Sequence, residues 1–137
     1  MTAPSIGPDD AVAVAARFFD RMGHFDWEAM GACVAENVER VGPFRDQKAG
    51  RADYQQFLAE TIEALDGYRL DVQRIWSDGA HVVAQLSETL NWEGRPRRTD
   101  EAIVLDVGPD GLIARVEVYL QKAYFVDDEP EIVRPRS

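Results

Sequence analysis

The chain has 137 residues, of which 45 % are hydrophobic and 29 % charged, the balance of a soluble globular protein. Its 15 Lys and Arg residues against 25 Asp and Glu residues give a formal net charge of −10, which disfavours nucleic acids and anionic membrane surfaces as partners. The length predicts one domain, and no apolar run is long enough to span a membrane.

The N-terminal region predicts a first helix over about residues 8 to 22. Pro8 suits the first helical position, and Asp9 and Asp10 suit the first turn. Apolar residues follow at helical spacing: Val12, Ala15, Ala16 and Phe19. Since a signal peptide would be basic here, we expect a cytoplasmic protein.

A second, short helix and a short strand should follow. Asp26 is a suitable N-cap, and Phe25 and Met30 occupy the two positions of a hydrophobic staple around it. This helix should end near Ala35. Residues Val38–Val41 are then long enough only for an edge strand.

A third helix has the clearest pattern of apolar residues. Gly67 follows the pattern as a C-terminal stop. The repeating face consists of Tyr54, Phe57, Leu58, Thr61, Ile62 and Leu65.

From Tyr68 onward the period changes to two, which predicts strands. Short turn sequences, Asp78-Gly79, Gly94 to Pro96 and Asp110-Gly111, separate them and indicate an antiparallel meander. The predicted strands lie near 68–77, 81–92, 97–107 and 112–121. One face of this sheet is apolar, so the helices should cover it.

Several residue types argue against a metal or cofactor site. Cys33 is the single cysteine, and no Cys/His set has zinc-ligand spacing. His24 and His81 fall in turns and should lie at the surface. The chain also lacks a glycine-rich phosphate loop. The basic cluster Arg95–Arg98 at a hairpin tip is interpreted as a solvated turn, with an anion site as the alternative.

Glu88 interrupts the apolar face of its predicted strand. In VVAQLSETLNW the even-numbered residues share one face: Val82, Ala84, Leu86, Glu88, Leu90 and Trp92. Glu88 should therefore share a buried face with Leu86 and Leu90. On the next strand, Glu101 continues the face of Ile103, Leu105 and Val107, at the interior or only at its rim.

Three phrases resemble the nuclear-transport-factor-2-like superfamily, which includes ketosteroid isomerase and the SnoaL-like polyketide cyclases. They are FFDRMGHFDWEAMGACVAENVERVGPF, AGRADYQQFLAETIEAL and DGLIARVEVYLQ, in the family's usual order. The resemblance covers about residues 8 to 122 of a single domain spanning 1–137. It leaves 123–137 as an acidic, loosely held tail.

The resemblance implies an α+β fold in which a curved antiparallel sheet wraps three N-terminal helices into a cone-shaped barrel with an apolar pocket. It also implies a homodimer through the outer sheet face, where Val83, Gln85, Val104, Arg115 and Tyr119 would lie. The implied pocket lining is Phe19, Val41, Phe57, Leu58, Leu86, Leu90, Ile103, Val116, Val118 and Leu120.

The family's known catalytic residues are mostly absent here. The ketosteroid isomerase base falls at Val41 or Gly42, and its oxyanion-binding Tyr and Asp fall at Ala16 and Ile103. The Asp-Arg-Asp set of epoxide-hydrolase members falls at Glu88, Leu86 and Val118. The resemblance therefore carries over one carboxylate, as Glu88.

Glu88 and Glu101 are the predicted catalytic residues. Burial raises a carboxyl pKa, and two close carboxyls can share one proton, which suits acid–base chemistry. We expect an isomerase, cyclase or epoxide-hydrolase-like enzyme acting on a small apolar organic ligand without a cofactor. The alternative is a non-catalytic ligand-binding or dimeric assembly domain, in which Arg40 or Arg45 pairs with Glu88.

Some neighbouring residues have structural or undecided roles. Tyr54, Trp27 and Trp92 are expected in the core or pocket wall. Whether Glu39 or Arg40 faces inward is left open by so short a strand.

Overall fold

A computed structural model describes residues 6–128 and 135. In these residues the helices are α1 (Pro8–Gly23), α2 (Trp27–Gly31) and α3 (Arg51–Glu63). The strands are β1 (Val34–Val41), β2 (Gln47–Ala49), β3 (Arg69–Asp78), β4 (His81–Trp92), β5 (Arg95–Val107), β6 (Ile113–Leu120) and β7 (Tyr124–Phe125). No described helix is both long enough and apolar enough to cross a membrane.

The fold is α+β, as expected. The strands form one curved, unclosed sheet in the order β2-β1-β6-β5-β4-β3, with β7 paired to β5. Strands β3 to β6 form the predicted antiparallel meander. The expected sheet was wholly antiparallel, whereas β1 pairs in parallel with β6.

β1 differs most from the sequence prediction. It begins at Val34 instead of Val38, and it lies between β2 and β6 instead of at the edge. Helix α2 is correspondingly shorter than predicted, since it ends at Gly31. The reason is that Val34 and Val38 are fully buried strand residues of the core. The edge is taken by the short strand β2, which the sequence analysis missed.

The core lies between the helices and the inner face of the sheet. Its largest fully buried side chains include Phe18 and Phe19 of α1 and Met30 of α2, with Leu86, Leu105 and Val116 from the strands. His24 and His81 are both exposed, as expected.

The start of the expected loose tail is held to the sheet. β7 pairs with β5, and Arg95 Nη2 contacts Asp127 Oδ1 at 2.9 Å and Asp128 Oδ1 at 3.1 Å. Two arginines of the basic cluster are therefore paired with acidic side chains, Arg95 with these two and Arg98 with Asp100. Residues 129–134 and 136–137 lie outside the described part of the chain.

Helix α2 depends on its N-cap. Asp26 Oδ1 accepts a hydrogen bond from the Ala29 backbone N–H at 3.2 Å. Asp26→Ala should lower the free energy of unfolding by about 1 kcal/mol, because a helix N–H loses its partner. Asp26→Asn keeps an acceptor and should lose less. Chemical denaturation of both variants measures this difference, and equal losses would contradict the capping role.

Candidate functional site

The two predicted carboxyl residues lie on the same, inner face of neighbouring strands. In the β4–β5 register, Leu86 is opposite Glu101 and Glu88 is opposite Thr99, so the two carboxyl residues are diagonal neighbours. Glu101 is buried, with 6 % of its surface exposed, whereas Glu88 is half-buried. The open question about Glu101 is thus answered, since it lies in the interior.

Glu101 is held in its protonated form. Burial, a hydrogen bond to Glu88 and the charge of Glu88 raise the pKa of the Glu101 carboxyl to about 10. The Arg40 guanidinium opposes this shift, but its effect is smaller. At neutral pH Glu101 is therefore a hydrogen-bond donor facing the Glu88 carboxyl.

Glu88 also accepts a hydrogen bond from a tyrosine that the sequence analysis did not select. The Tyr68 hydroxyl donates to Glu88 Oε2 at 2.5 Å. Burial, and then the charge of Glu88, hold the pKa of Tyr68 well above its usual range. The sequence did contain a signal for Tyr68, because it lies two residues before Leu70 in a period-two segment and so shares its face. In the structure Leu70 is opposite Glu88.

Arg40, and not Glu39, faces inward. Arg40 is opposite Val116 in the register and has 8 % of its surface exposed. Its Nη1 donates to Asp46 Oδ2 at 2.7 Å, and its guanidinium carbon lies 4.9 Å from the centroid of the Phe57 ring. Arg40 is therefore paired with Asp46 and not with Glu88.

Tyr54 completes the polar group. It extends from α3 and is 2 % exposed. Burial raises the pKa of its hydroxyl far above the usual range, Arg40 lowers it, and Glu88 and Glu101 raise it further. Five polar side chains thus meet on the inner face, from α3, β1, the residue before β3, β4 and β5.

The predicted pocket lining divides into three groups. Phe19, Leu58, Leu86, Ile103 and Val116 are buried parts of the core cluster, so they do not form one open cavity wall with the rest. Phe57, Leu90 and Val118 are half-buried, and Leu120 is 41 % exposed although it is opposite Glu101 on the inner face. The first group is buried because side chains of α1 belong to the same core cluster and fill the interior beside it.

Two residues expected in or near the interior lie elsewhere. Val41 alternates with the inward Arg40 and is opposite Glu117, so it belongs to the outer face. Trp92 is 50 % exposed, near the tip of the β4–β5 hairpin, with the Arg97 guanidinium carbon 5.2 Å from its ring centroid. A strand end that extends beyond the helices has nothing to cover it.

We call the half-exposed end of the inner face the mouth, defined as Phe57, Tyr68, Glu88, Leu90, Val118 and Leu120. It is mostly apolar, and Glu88 is its carboxyl group. Through Glu88 the mouth connects to the buried Glu101. The arrangement places a proton acceptor at the half-exposed end of the inner face and a proton donor diagonally across from it on the neighbouring strand.

The outer face carries a groove of about 560 Å³, whose lining also includes Leu86, Glu101 and Leu120. Its lining includes the exposed aromatic residues Trp76 and Tyr119 and the predicted interface residues Val83 and Gln85. Val104 and Arg115 are on the same face, since they are opposite Val83 and Asp106 respectively.

Comparison with known proteins gives a family and a fold. The model of the family described as "SnoaL-like domain" matches residues 15–116. A solved structure of a "putative ketosteroid isomerase" from Kribbella flavida DSM 17836 is 27 % identical, with 95 % of this chain and 93 % of that chain covered and a TM-score of 0.75. No curated protein matches.

Two more distant structures are similar in fold. An LEH-like epoxide hydrolase of M. tuberculosis is 18 % identical, with 83 % of this chain and 84 % of that chain covered and a TM-score of 0.72. A "putative polyketide cyclase" from Xanthomonas campestris pv. campestris is 23 % identical, with 82 % and 90 % covered and a TM-score of 0.69.

Proposed function

The chain belongs to the SnoaL-like domain family, and from that premise we propose that it is an enzyme performing acid–base chemistry on a small, mostly apolar molecule. The observation that carries this proposal is the protonated, buried Glu101 hydrogen-bonded to a Glu88 carboxyl that reaches the mouth. Two carboxyls in unequal environments are the usual basis for separate acid and base roles.

The proposed roles follow from burial. Glu88, at the mouth, takes a proton from the substrate or from a water molecule. Glu101, behind it, donates a hydrogen bond or its proton to an oxygen that gains negative charge. Substrate binding relies on the apolar contacts of Phe57, Leu90 and Val118. No step in this scheme uses a cofactor.

The pairing of Glu88 supports an enzyme over a non-catalytic binding or assembly domain. An assembly role would favour a Glu88 locked to an arginine, but Arg40 pairs with Asp46 at 2.7 Å and Arg45 is exposed. Glu88 is instead hydrogen-bonded by the Tyr68 hydroxyl, which leaves its carboxyl without a neutralising cation and suits the role of a base.

Two probe reactions test the proposal, chosen after the proteins of similar fold. One is the isomerisation of a β,γ-unsaturated cyclic ketosteroid to its conjugated isomer, followed by ultraviolet absorbance. The other is the hydrolysis of an apolar epoxide, followed by chromatography. We expect the protein to accelerate at least one of them over buffer, and acceleration of neither would contradict the proposal.

We further propose that two copies pair through the outer face, as the family resemblance implies. Support comes from its exposed aromatic side chains and mixed charges, typical of an interface. The expected cytoplasmic location stays a prediction.

Sedimentation at micromolar concentration should give twice the mass of one chain. Trp76→Glu should give one chain mass, because a charge would be buried in the interface. Trp92→Glu is the matched control, since Trp92 is similarly exposed, 50 % against 46 % for Trp76, but lies at the hairpin tip. A monomeric wild type, or monomers from both variants, would contradict this interface.

A further inference from the structure

Glu88 and Glu101 are the same residue type on adjacent strands, yet one proton must be divided between them. Glu101 is the more deeply buried of the two. Glu88 has a second donor, the Tyr68 hydroxyl, 2.5 Å from its Oε2. A hydrogen bond donated to a carboxyl stabilises its ionised form, so the Tyr68 contact distinguishes the two groups.

Two other titratable groups, Arg40 and Tyr54, lie near the pair. Arg40 extends from β1 and is bound to Asp46 Oδ2 at 2.7 Å, while Tyr54 extends from α3. Both are buried side chains near the pair, and the charges of Glu88 and Glu101 both raise the pKa of the Tyr54 hydroxyl. Within the described residues neither donates a hydrogen bond to Glu88, whereas Tyr68 does.

We propose that Tyr68 is a positioning residue that places the shared proton on Glu101 and leaves Glu88 as the base. This role rests on the proposed acid–base function and adds to it, because it names the residue that makes the two carboxyls unequal. The hydroxyl remains a donor at any working pH, since burial and the Glu88 charge keep its pKa well above the usual range.

The position of the Tyr68 ring is itself supported by an unusual backbone conformation. Phe25, in the turn between α1 and α2, has φ of 60°, a left-handed conformation that is rare for a bulky residue. Its ring centroid lies 6.0 Å from that of Tyr68 and 6.1 Å from that of Trp27. The Trp27 Nε1–H in turn donates to Glu63 Oε1 at 2.5 Å.

These contacts form a chain from α3 through the α1–α2 turn to Glu88. Phe25 is 40 % exposed, so its ring gains little from burial that would offset a strained backbone. Its contact with the Tyr68 ring is an interaction that this backbone conformation makes possible. We therefore include Phe25 in the proposal as the residue that supports the Tyr68 ring.

The test measures where the proton is, without a substrate. The protein is labelled with ¹³C at the glutamate side-chain carboxyls, and the Glu88 and Glu101 signals are assigned from Glu88→Gln and Glu101→Gln. Tyr68→Phe keeps the ring and removes the hydroxyl. The Glu88 signal should then move towards the protonated position at pH 7.

Tyr119→Phe is the matched control, because the Tyr119 hydroxyl donates to Glu117 Oε2 at 2.7 Å on the outer face. It should leave the Glu88 and Glu101 signals unchanged. Phe25→Ala should shift the Glu88 signal in the same direction as Tyr68→Phe. Phe25→Tyr, which keeps a ring, should leave the Glu88 signal at its wild-type position.

Unchanged Glu88 and Glu101 signals in Tyr68→Phe would overturn the positioning role. If Glu88→Gln still abolishes turnover in that case, the acid–base function stands without it. If instead the signals shift as expected while Glu88→Gln keeps full activity, the effect of Tyr68 on the pair stands and the proposed function fails. An equal shift in Tyr119→Phe would also overturn the proposal.

Discussion

Replacing Glu88 by Gln should lower kcat/KM for the accepted probe reaction by about 100- to 10,000-fold, the usual contribution of a general base. The amide has nearly the shape of the carboxyl but does not accept a proton. Its oxygen can still accept the Tyr68 hydrogen bond that Glu88 accepts at 2.5 Å. The free energy of unfolding should therefore stay unchanged or rise.

Glu117→Gln is the matched control for Glu88→Gln. Glu117 also accepts a hydrogen bond from a tyrosine hydroxyl, that of Tyr119 at 2.7 Å, but it lies on the outer face. Its activity should equal that of the wild type. A loss of roughly 3–5 kcal/mol of stability in Glu88→Gln, the cost of breaking a buried ion pair, would contradict a catalytic role for Glu88.

Replacing Glu101 by Gln should make the protein more stable at neutral pH. In the folded state the pKa of Glu101 is raised from 4.5 to about 10, so between these values the folded protein holds a proton that the unfolded chain releases. Wild-type stability should therefore fall as pH rises through this window. At pH 7 the difference corresponds to roughly 3 kcal/mol, at about 1.4 kcal/mol per pKa unit.

Glu101→Gln does not titrate, so its advantage over the wild type should be small near pH 4 and grow towards pH 9. Urea denaturation at several pH values measures this, with Glu117→Gln as the control. Hydrogen bonds from Tyr119 and Arg115 lower the pKa of Glu117, so this carboxyl is ionised in both the folded and the unfolded state above pH 5, and its replacement should leave the slope between pH 5 and 9 unchanged. A wild-type stability that does not fall between pH 5 and 9 would show that Glu101 ionises normally.

Much of the fold could be predicted because local patterns encode it. The helical spacing of α1 and α3 and the turn sequences between β3 and β6 depend on neighbouring residues only. The parallel pairing of β1 with β6 depends on residues far apart in the chain, such as Arg40 and Val116. The register of the β1–β6 pairing also shifts between Val34 and Glu39, which interrupts the alternation of inward and outward residues in β1.

The same distinction applies to the candidate site. Glu88 and Glu101 could be selected because each interrupts an apolar alternation within its own strand. The inward direction of Arg40 follows from its pairing with Val116, which no local pattern shows. The partnership of Tyr68 with Glu88 joins residues 20 positions apart, so the alternation could place Tyr68 on the inner face but not identify its partner.

The central claim is that Glu88 moves a proton at the mouth while Glu101 donates to the substrate oxygen. The most direct test is deuterium exchange at the carbon beside the carbonyl of a cyclic ketone, followed by proton NMR in heavy water. This requires proton removal and return and no further step. We predict faster exchange with the wild type than in buffer, and exchange at the buffer rate with Glu88→Gln. Equal exchange rates for the wild type and Glu88→Gln would contradict the claim.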